Sequence, residues 1–237
     1  MSKNDFQQIS TRDAVLTIED TDNGLDIQHP QNKKLSEISD LIVDILEDKD
    51  KFLQKNEIEL FAFEKAEDRS KFFEYLTKGM KGYTCIDVTD TYVFNPAKKV
   101  LSGEDNEVHI TSASLKGTGV NLSEELMNLH SQGFYTWKVI WKAILTDTPS
   151  SDLYVFEAQF SNTEECRDFS YIVKGSFKRK DEGSVGAING HYPNRTSVSL
   201  FDEKNLNKVI KQTAWDSIGK LSKLLITEGD KNDNTEK

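Results

Sequence analysis

The sequence predicts an α+β fold: a curved antiparallel sheet with packed helices and a long C-terminal amphipathic helix. Three observations support this prediction. Residues 134–178 hold three segments of alternating apolar and polar residues, separated by turn-forming residues. Helical apolar periods precede these segments, and another follows them. Successive side chains of a strand point to opposite faces, so alternating segments joined by short turns are typical of an antiparallel meander.

The alternation defines one aromatic face of the meander. Apolar residues occupy odd positions in the first segment, even positions in the second and odd positions in the third. They are Tyr135, Trp137, Val139, Trp141, Ala143 and Leu145, then Tyr154, Phe156, Ala158 and Phe160, then Phe169, Tyr171, Val173 and Phe177. A type I turn with Pro149 at its second position sets the register of the first two strands. The predicted pairs are Thr148 with Ser151, Trp141 with Ala158, Val139 with Phe160, and Lys142 with Glu157.

The segments before the meander predict an arm followed by mixed helices and strands. Residues 1–30 are polar, with one short strand at 14–18, and we expect a flexible arm. Residues 31–226 are expected to form a single domain. Its first helix begins near Lys34, where apolar residues recur with helical spacing. The further elements are a strand at 57–63, a helix from 66 to a cap at Gly79, strands at 83–95 and 107–115, and a helix capped by Ser123.

After the meander, the sequence predicts an irregular loop and a long helix. Residues 183–195 contain three glycines and a proline, which indicate irregular backbone. A short strand at 196–201 and an amphipathic helix at 203–226 follow. Residues 227–237 are polar and predicted to be a disordered tail. The order of elements is similar, in shape alone, to helix-grip lipid-carrier folds, and a fold does not imply a function.

Composition narrows the class of protein. The chain has 237 residues and a net charge of −10, and it holds no apolar run long enough to span a membrane. Without a signal peptide, Cys85 and Cys166 are expected to be reduced thiols in the cytoplasm. Residues 167–223 nevertheless carry 11 bases against 6 acids. This basic third offers a surface for nucleic acid, but the negative net charge of the whole chain does not favour that partner.

Catalytic and metal-binding motifs are missing from the sequence. The four histidines, at 29, 109, 130 and 191, are far apart, and no Cys-x-x-Cys, phosphate loop or nucleophile elbow occurs. The expected register separates Asp147 from Glu157 by about 17 Å, too far for one shared ion. We therefore expect no metal and no cofactor, and no enzyme is favoured.

Two sets of residues are candidates for binding. His191, Tyr192 and Arg195 lie in or beside the glycine-rich loop, and loops often carry function. The other set lies on the meander face opposite the aromatic one, where lysines alternate with aliphatic residues. Its members are Lys138, Lys142 and Lys174, interleaved with Ile140, Val155 and Ile172. A fully solvated face would be more polar, so a helix, a ligand or a partner is expected to cover part of it.

These features favour a cytoplasmic, non-enzymatic binding protein that contacts a macromolecule through the sheet face or the loop. A protein partner or self-association is expected. Two alternatives stay open. One is a small-molecule or lipid carrier, with a cavity between the sheet and the C-terminal helix. The other is an enzyme with a dispersed site near His191.

Overall fold

The computed structural model describes residues 15–21, 24–47, 56–96, 110–180 and 190–232, with side chains in the last helix described as far as Leu224. The chain divides by its internal contacts into two units, residues 1–57 and residues 58–237. The predicted division into an arm, a single domain and a tail stays a prediction.

The smaller unit contains a hairpin and a helix. Strands β1 (Thr17–Thr21) and β2 (Gly24–Gln28) pair antiparallel, where the sequence indicated one strand at 14–18; residue 14 lies outside the described residues. Helix α1 (Lys33–Glu47) follows, and the Asn32 side chain accepts a hydrogen bond from the Lys34 amide at 2.9 Å. This contact satisfies one of the free N–H groups at the helix start.

The larger unit is a curled, six-stranded antiparallel sheet, so the predicted α+β class is confirmed. Its strand order is β4-β3-β5-β6-β7-β8. The strands are β3 (Tyr83–Phe94), β4 (Ser112–Lys116), β5 (Tyr135–Leu145), β6 (Leu153–Asn162), β7 (Arg167–Arg179) and β8 (His191–Thr196). Strands β5 to β7 form the predicted meander.

The described part of the larger unit holds the α-helices α2 (Ala66–Lys78), α3 (Glu124–Ser131) and α4 (Leu200–Asn232), and a short 3-10 helix at Val120–Leu122. Ser123 caps α3 as predicted, since its side chain accepts from the Leu126 amide at 3.2 Å. The Gly79 amide donates to the Tyr75 carbonyl at 2.8 Å and ends α2 as predicted. Helix α4 begins at Leu200 and continues beyond residue 226, where the sequence placed its end.

The strand predicted at 196–201 is wrong, because β8 occupies part of the predicted loop instead. Its residues pair with β7, and Pro193 lies within it. Proline is tolerated there because β8 is an edge strand whose outward N–H groups need no partner. The rest of the predicted loop, residues 183–189, lies outside the described residues.

The core lies between the aromatic face of the sheet and helices α2 and α4. Trp141, Phe156 and Phe160 are fully buried, as the parity pattern predicts, and they pack against Phe72 of α2 and Leu206 of α4. The Trp141 and Phe156 rings stack with centroids 5.2 Å apart. We call this helix-covered side the inner face and the opposite side the outer face.

The register between β5 and β6 differs from the predicted one by two residues. Trp141 pairs with Phe156, Val139 with Ala158, and Lys142 with Val155. The predicted turn exists, since the Ser151 amide donates to the Thr148 carbonyl at 2.8 Å, but a second turn precedes it. The Thr148 amide donates to the Leu145 carbonyl at 3.3 Å and lengthens the connection. A two-residue shift preserves side-chain parity, so the faces stay as predicted.

Two aromatic residues expected on the inner face are exceptions. Trp137 is an extra residue in β5, between the pairs of Lys138 with Tyr92 and Thr136 with Val93. Its ring lies 5.8 Å from the Tyr92 ring, outside the core cluster. Lys174 is likewise an extra residue, in β7, between the pairs of Val155 with Gly175 and Phe156 with Val173. Beyond it, each side chain of β7 points to the face opposite to the one that the alternation predicts. Phe177 therefore lies on the outer face.

Candidate functional site on the outer face

The outer face is the side of the sheet away from the core contacts of α2 and α4. Those helices contribute Phe72, Phe73, Leu206 and Ile210 to a cluster that includes inner-face Trp141. Cross-strand pairs then define three rows on the outer face. They are Tyr92–Lys138–Gln159–Ser170, Asp90–Ile140–Glu157–Ile172 and Asp87–Lys142–Val155–Gly175. In the second of these rows, charged and aliphatic side chains alternate across neighbouring strands.

Glu157 is the centre of a charge network on this face. Its carboxylate oxygens form ion pairs with two lysines, at 2.6 Å from the Lys138 ammonium nitrogen and 2.5 Å from that of Lys174. The predicted ion pair of Glu157 with Lys142 is wrong, because the two-residue shift places Ile140 opposite Glu157. Burial raises the pKa of Glu157, but hydrogen bonds from both lysines outweigh it and hold that pKa below its usual value.

We expect Glu157→Gln to lower the free energy of unfolding by about 1–3 kcal/mol at pH 7, because two poorly solvated lysines lose their counterion. The folded-state pKa of Glu157 is depressed, so this stabilisation is present above the unfolded pKa of about 4.3 and is lost as the pH falls through the folded value. Urea unfolding at pH 7 and at about pH 3 measures the difference.

Glu74→Gln is the matched control for this substitution. Glu74 pairs with Lys78 on the exposed side of α2, where such a pair contributes about 0.5 kcal/mol or less. If both substitutions had the same small effect at pH 7, the stabilising role of Glu157 would be refuted.

Lys142 and Arg195 meet at Phe177. The Lys142 ammonium lies 5.8 Å from the centroid of the Phe177 ring, and Phe177 pairs across the strands with Arg195 and Leu153. Among the described residues, neither cation has a carboxylate within 4.0 Å. We call Lys142, Phe177 and Arg195 the Phe177 patch. It joins one residue from each of the two predicted binding sets.

His191 and Tyr192 are not part of the Phe177 patch. His191 pairs across the strands with Arg179, whereas Arg195 pairs with Phe177. His191 is buried at the start of β8, and its Nε2 contacts the Ser151 carbonyl oxygen at 3.0 Å. Tyr192 is exposed, with the Lys180 ammonium 4.7 Å from its ring centroid. His191 therefore ties the edge strand to the β5–β6 turn, which gives it a structural contact.

A serine–histidine contact, which the sequence did not indicate, joins α2, α3 and β5. His130 Nε2 lies 3.3 Å from Ser70 Oγ and 3.2 Å from Thr136 Oγ1. Burial lowers the pKa of His130. Ser70 Oγ also contacts the Ala66 carbonyl and accepts from the Thr136 amide, both at 3.1 Å. Such shared contacts fit a structural clamp better than a nucleophile, whose hydroxyl must be free to attack.

A second polar cluster borders an open cleft of about 420 Å³ beside α2. Arg69 donates to the Phe63 carbonyl at 2.8 Å and stacks 4.7 Å from the Tyr135 ring centroid. Burial raises the pKa of Tyr135 to about 12 and that of nearby Cys166 to about 11. Both groups are therefore protonated at neutral pH, and Cys166 lacks the thiolate that a nucleophile needs.

In the described ranges, no three His, Cys, Asp or Glu side chains are grouped as a metal site would require. None of the described helices is both long and apolar enough to cross a bilayer. Comparisons with protein-family models, curated proteins and solved structures found no match, so no function is assigned to this chain by similarity.

Proposed function

We propose that this chain is a non-enzymatic, cytoplasmic binding protein that contacts a protein partner through the outer face of its sheet. The observation that carries the proposal is the Phe177 patch, where two cations, neither with a carboxylate within 4.0 Å among the described residues, flank an aromatic ring. Aromatic residues and arginine are enriched in the energetically dominant parts of protein interfaces.

The surroundings of the patch support the same proposal. Ile172 is 52% exposed, although its strand lies inside the sheet, and half-buried Ile140 lies in the same row. Removing such aliphatic side chains from water contributes about 25 cal/mol per Å² of buried apolar area. A partner that covers this face would gain that energy without unfolding any described element.

The two alternative functions have weaker support. A carrier needs a cavity between the sheet and α4, but Trp141, Phe156 and Leu206 fill that space and are at most 1% exposed. An enzyme near His191 needs an imidazole that a substrate can reach, but His191 is buried and its Nε2 lies 3.0 Å from the Ser151 carbonyl oxygen. Neither alternative accounts for cations on the outer face.

Site-specific photo-crosslinking in cells would test the proposal. A benzophenone amino acid replaces Ile172 on the outer face in one full-length variant and exposed Lys208 on α4 in the control. We expect a discrete adduct with another protein at position 172 that is absent at position 208. Identical adducts at both positions, adducts with nucleic acid, or adducts with a second copy alone would overturn it.

A further inference from the structure

We propose that the partner segment is acidic and extended, with two carboxylates that bind Lys142 and Arg195 and an apolar side chain between them that packs on Phe177. This inference rests on the proposed function and adds the chemistry of the partner. It follows from three features of the outer face: the unequal pairing of its cations, the backbone spacing of Lys142 and Arg195, and the nature of the surface between these two residues.

The cations of the outer face are unequally neutralised. Lys138 and Lys174 share Glu157, and Lys116 lies 3.8 Å from Asp90. Asp87, opposite Lys142 in the ladder, instead accepts a hydrogen bond from the Gly119 amide at 2.7 Å. Among the described residues, Lys142 and Arg195 beside Phe177 thus have no carboxylate within 4.0 Å, although the whole chain carries −10. A negatively charged group is the complement of this patch.

The backbone spacing of the two cationic residues fits an extended peptide. The backbones of Lys142 in β5 and Arg195 in β8 are three strand intervals apart, about 14 Å in the hydrogen-bonding direction. From there the Lys142 side chain reaches towards β7, where its ammonium lies 5.8 Å from the Phe177 ring centroid. Side chains on one side of an extended segment repeat every two residues, about 7 Å. The backbones of two acids four residues apart are thus separated by about 14 Å, and the residue midway between them points to the same side. Phe177, in β7, lies between the two cations.

The surface between the cations fits a protein segment better than a nucleic acid. Single-stranded nucleic acids bind along continuous tracks of cations with several exposed aromatic rings. On the outer face, the ammonium groups of Lys138 and Lys116 lie 5.3 and 5.7 Å from the Tyr92 ring centroid and occupy that ring. The row next to that of Lys142 instead holds aliphatic Ile172, which is 52% exposed, whereas Val155, opposite Lys142, is only 4% exposed. Mixed aliphatic and cationic contacts suit an acidic segment with apolar side chains.

A peptide titration with the full-length chain tests this chemistry. The probe is a blocked peptide, Gly-Glu-Ser-Leu-Ser-Glu-Gly, followed by backbone NMR shifts; its counterpart has glutamine for both glutamates. We expect the glutamate peptide to bind in the millimolar range and to shift the amides of Phe177 and Arg195. We expect Kd to rise at least fivefold for the glutamine peptide, and at least fivefold for the double variant Lys142→Gln, Arg195→Gln.

The matched control is the double variant Lys204→Gln, Lys208→Gln, which removes the same charge from exposed positions on α4 and should leave Kd within twofold. Equal Kd values for both double variants would overturn the proposal. So would tighter binding of an eight-nucleotide oligothymidine, or shifts confined to other elements. If crosslinking at position 172 still captures a protein in those cases, the partner chemistry fails while the binding function stands. If both experiments fail, the proposed function fails as well.

Discussion

Replacing Phe160 with alanine should lower the free energy of unfolding by about 3–5 kcal/mol, the range for large aromatic truncations in a packed core. Phe160 is fully buried, and its ring centroid lies 5.2 to 5.8 Å from those of Phe72, Phe73 and Phe169. Its removal leaves a cavity at the junction of α2 with strands β6 and β7. Urea unfolding, followed by tryptophan fluorescence and circular dichroism, measures the loss.

The control for this prediction is Ile172→Ala. Ile172 pairs with Glu157 of β6 and, unlike Phe160, lies on the outer face, where it is 52% exposed. Its truncation should therefore lower the free energy of unfolding by less than about 1 kcal/mol. Comparable losses for the two variants would contradict the assignment of inner and outer faces. A stable Ile172→Ala variant would also show that this position can be altered in binding experiments without unfolding the sheet.

The inner face could be predicted from the sequence because side-chain parity is a local property of a strand. Trp141, Phe156 and Phe160 share a face for every register whose paired residue numbers give an odd sum. The observed register is such a case, even though it differs by two residues from the predicted one. A local pattern thus specifies the face of each residue without specifying its neighbour.

The neighbours could not be predicted, because they depend on turns and bulges that parity does not report. The extra turn at Leu145–Thr148 moves Lys142 away from Glu157, and no other carboxylate in the described part of the chain lies within 4.0 Å of the Lys142 ammonium. The bulge at Lys174 turns Phe177 to the outer face. Gly175, in the middle of a strand, was the available signal, since glycine in a strand interior often marks a bulge. Four of the six predicted binding residues lie on the outer face, but their grouping depends on these two irregularities.

Gly175→Ala should lower the free energy of unfolding by about 2–4 kcal/mol, because two separate penalties add. The backbone of Gly175 has φ +127, which residues with a Cβ rarely adopt. A methyl group there would overlap the carbonyl oxygen of Thr196 and lie 3.1 Å from Cγ of Arg195. The edge strand β8 would have to move away from β7. Urea unfolding measures the total cost, and hydrogen exchange of the β8 amides shows where the strain is released.

Gly82→Ala separates the two penalties. Gly82 also has a positive φ, of +80, but an added Cβ would meet nothing within 4 Å, so only the backbone strain applies. We expect that variant to lose about 1 kcal/mol, with unchanged exchange in β8. Because β8 carries Arg195, Gly175→Ala should also weaken the acidic peptide, whereas Gly82→Ala should not. Equal stability losses for the two variants would mean that β8 does not pack against Gly175 as closely as its contacts indicate.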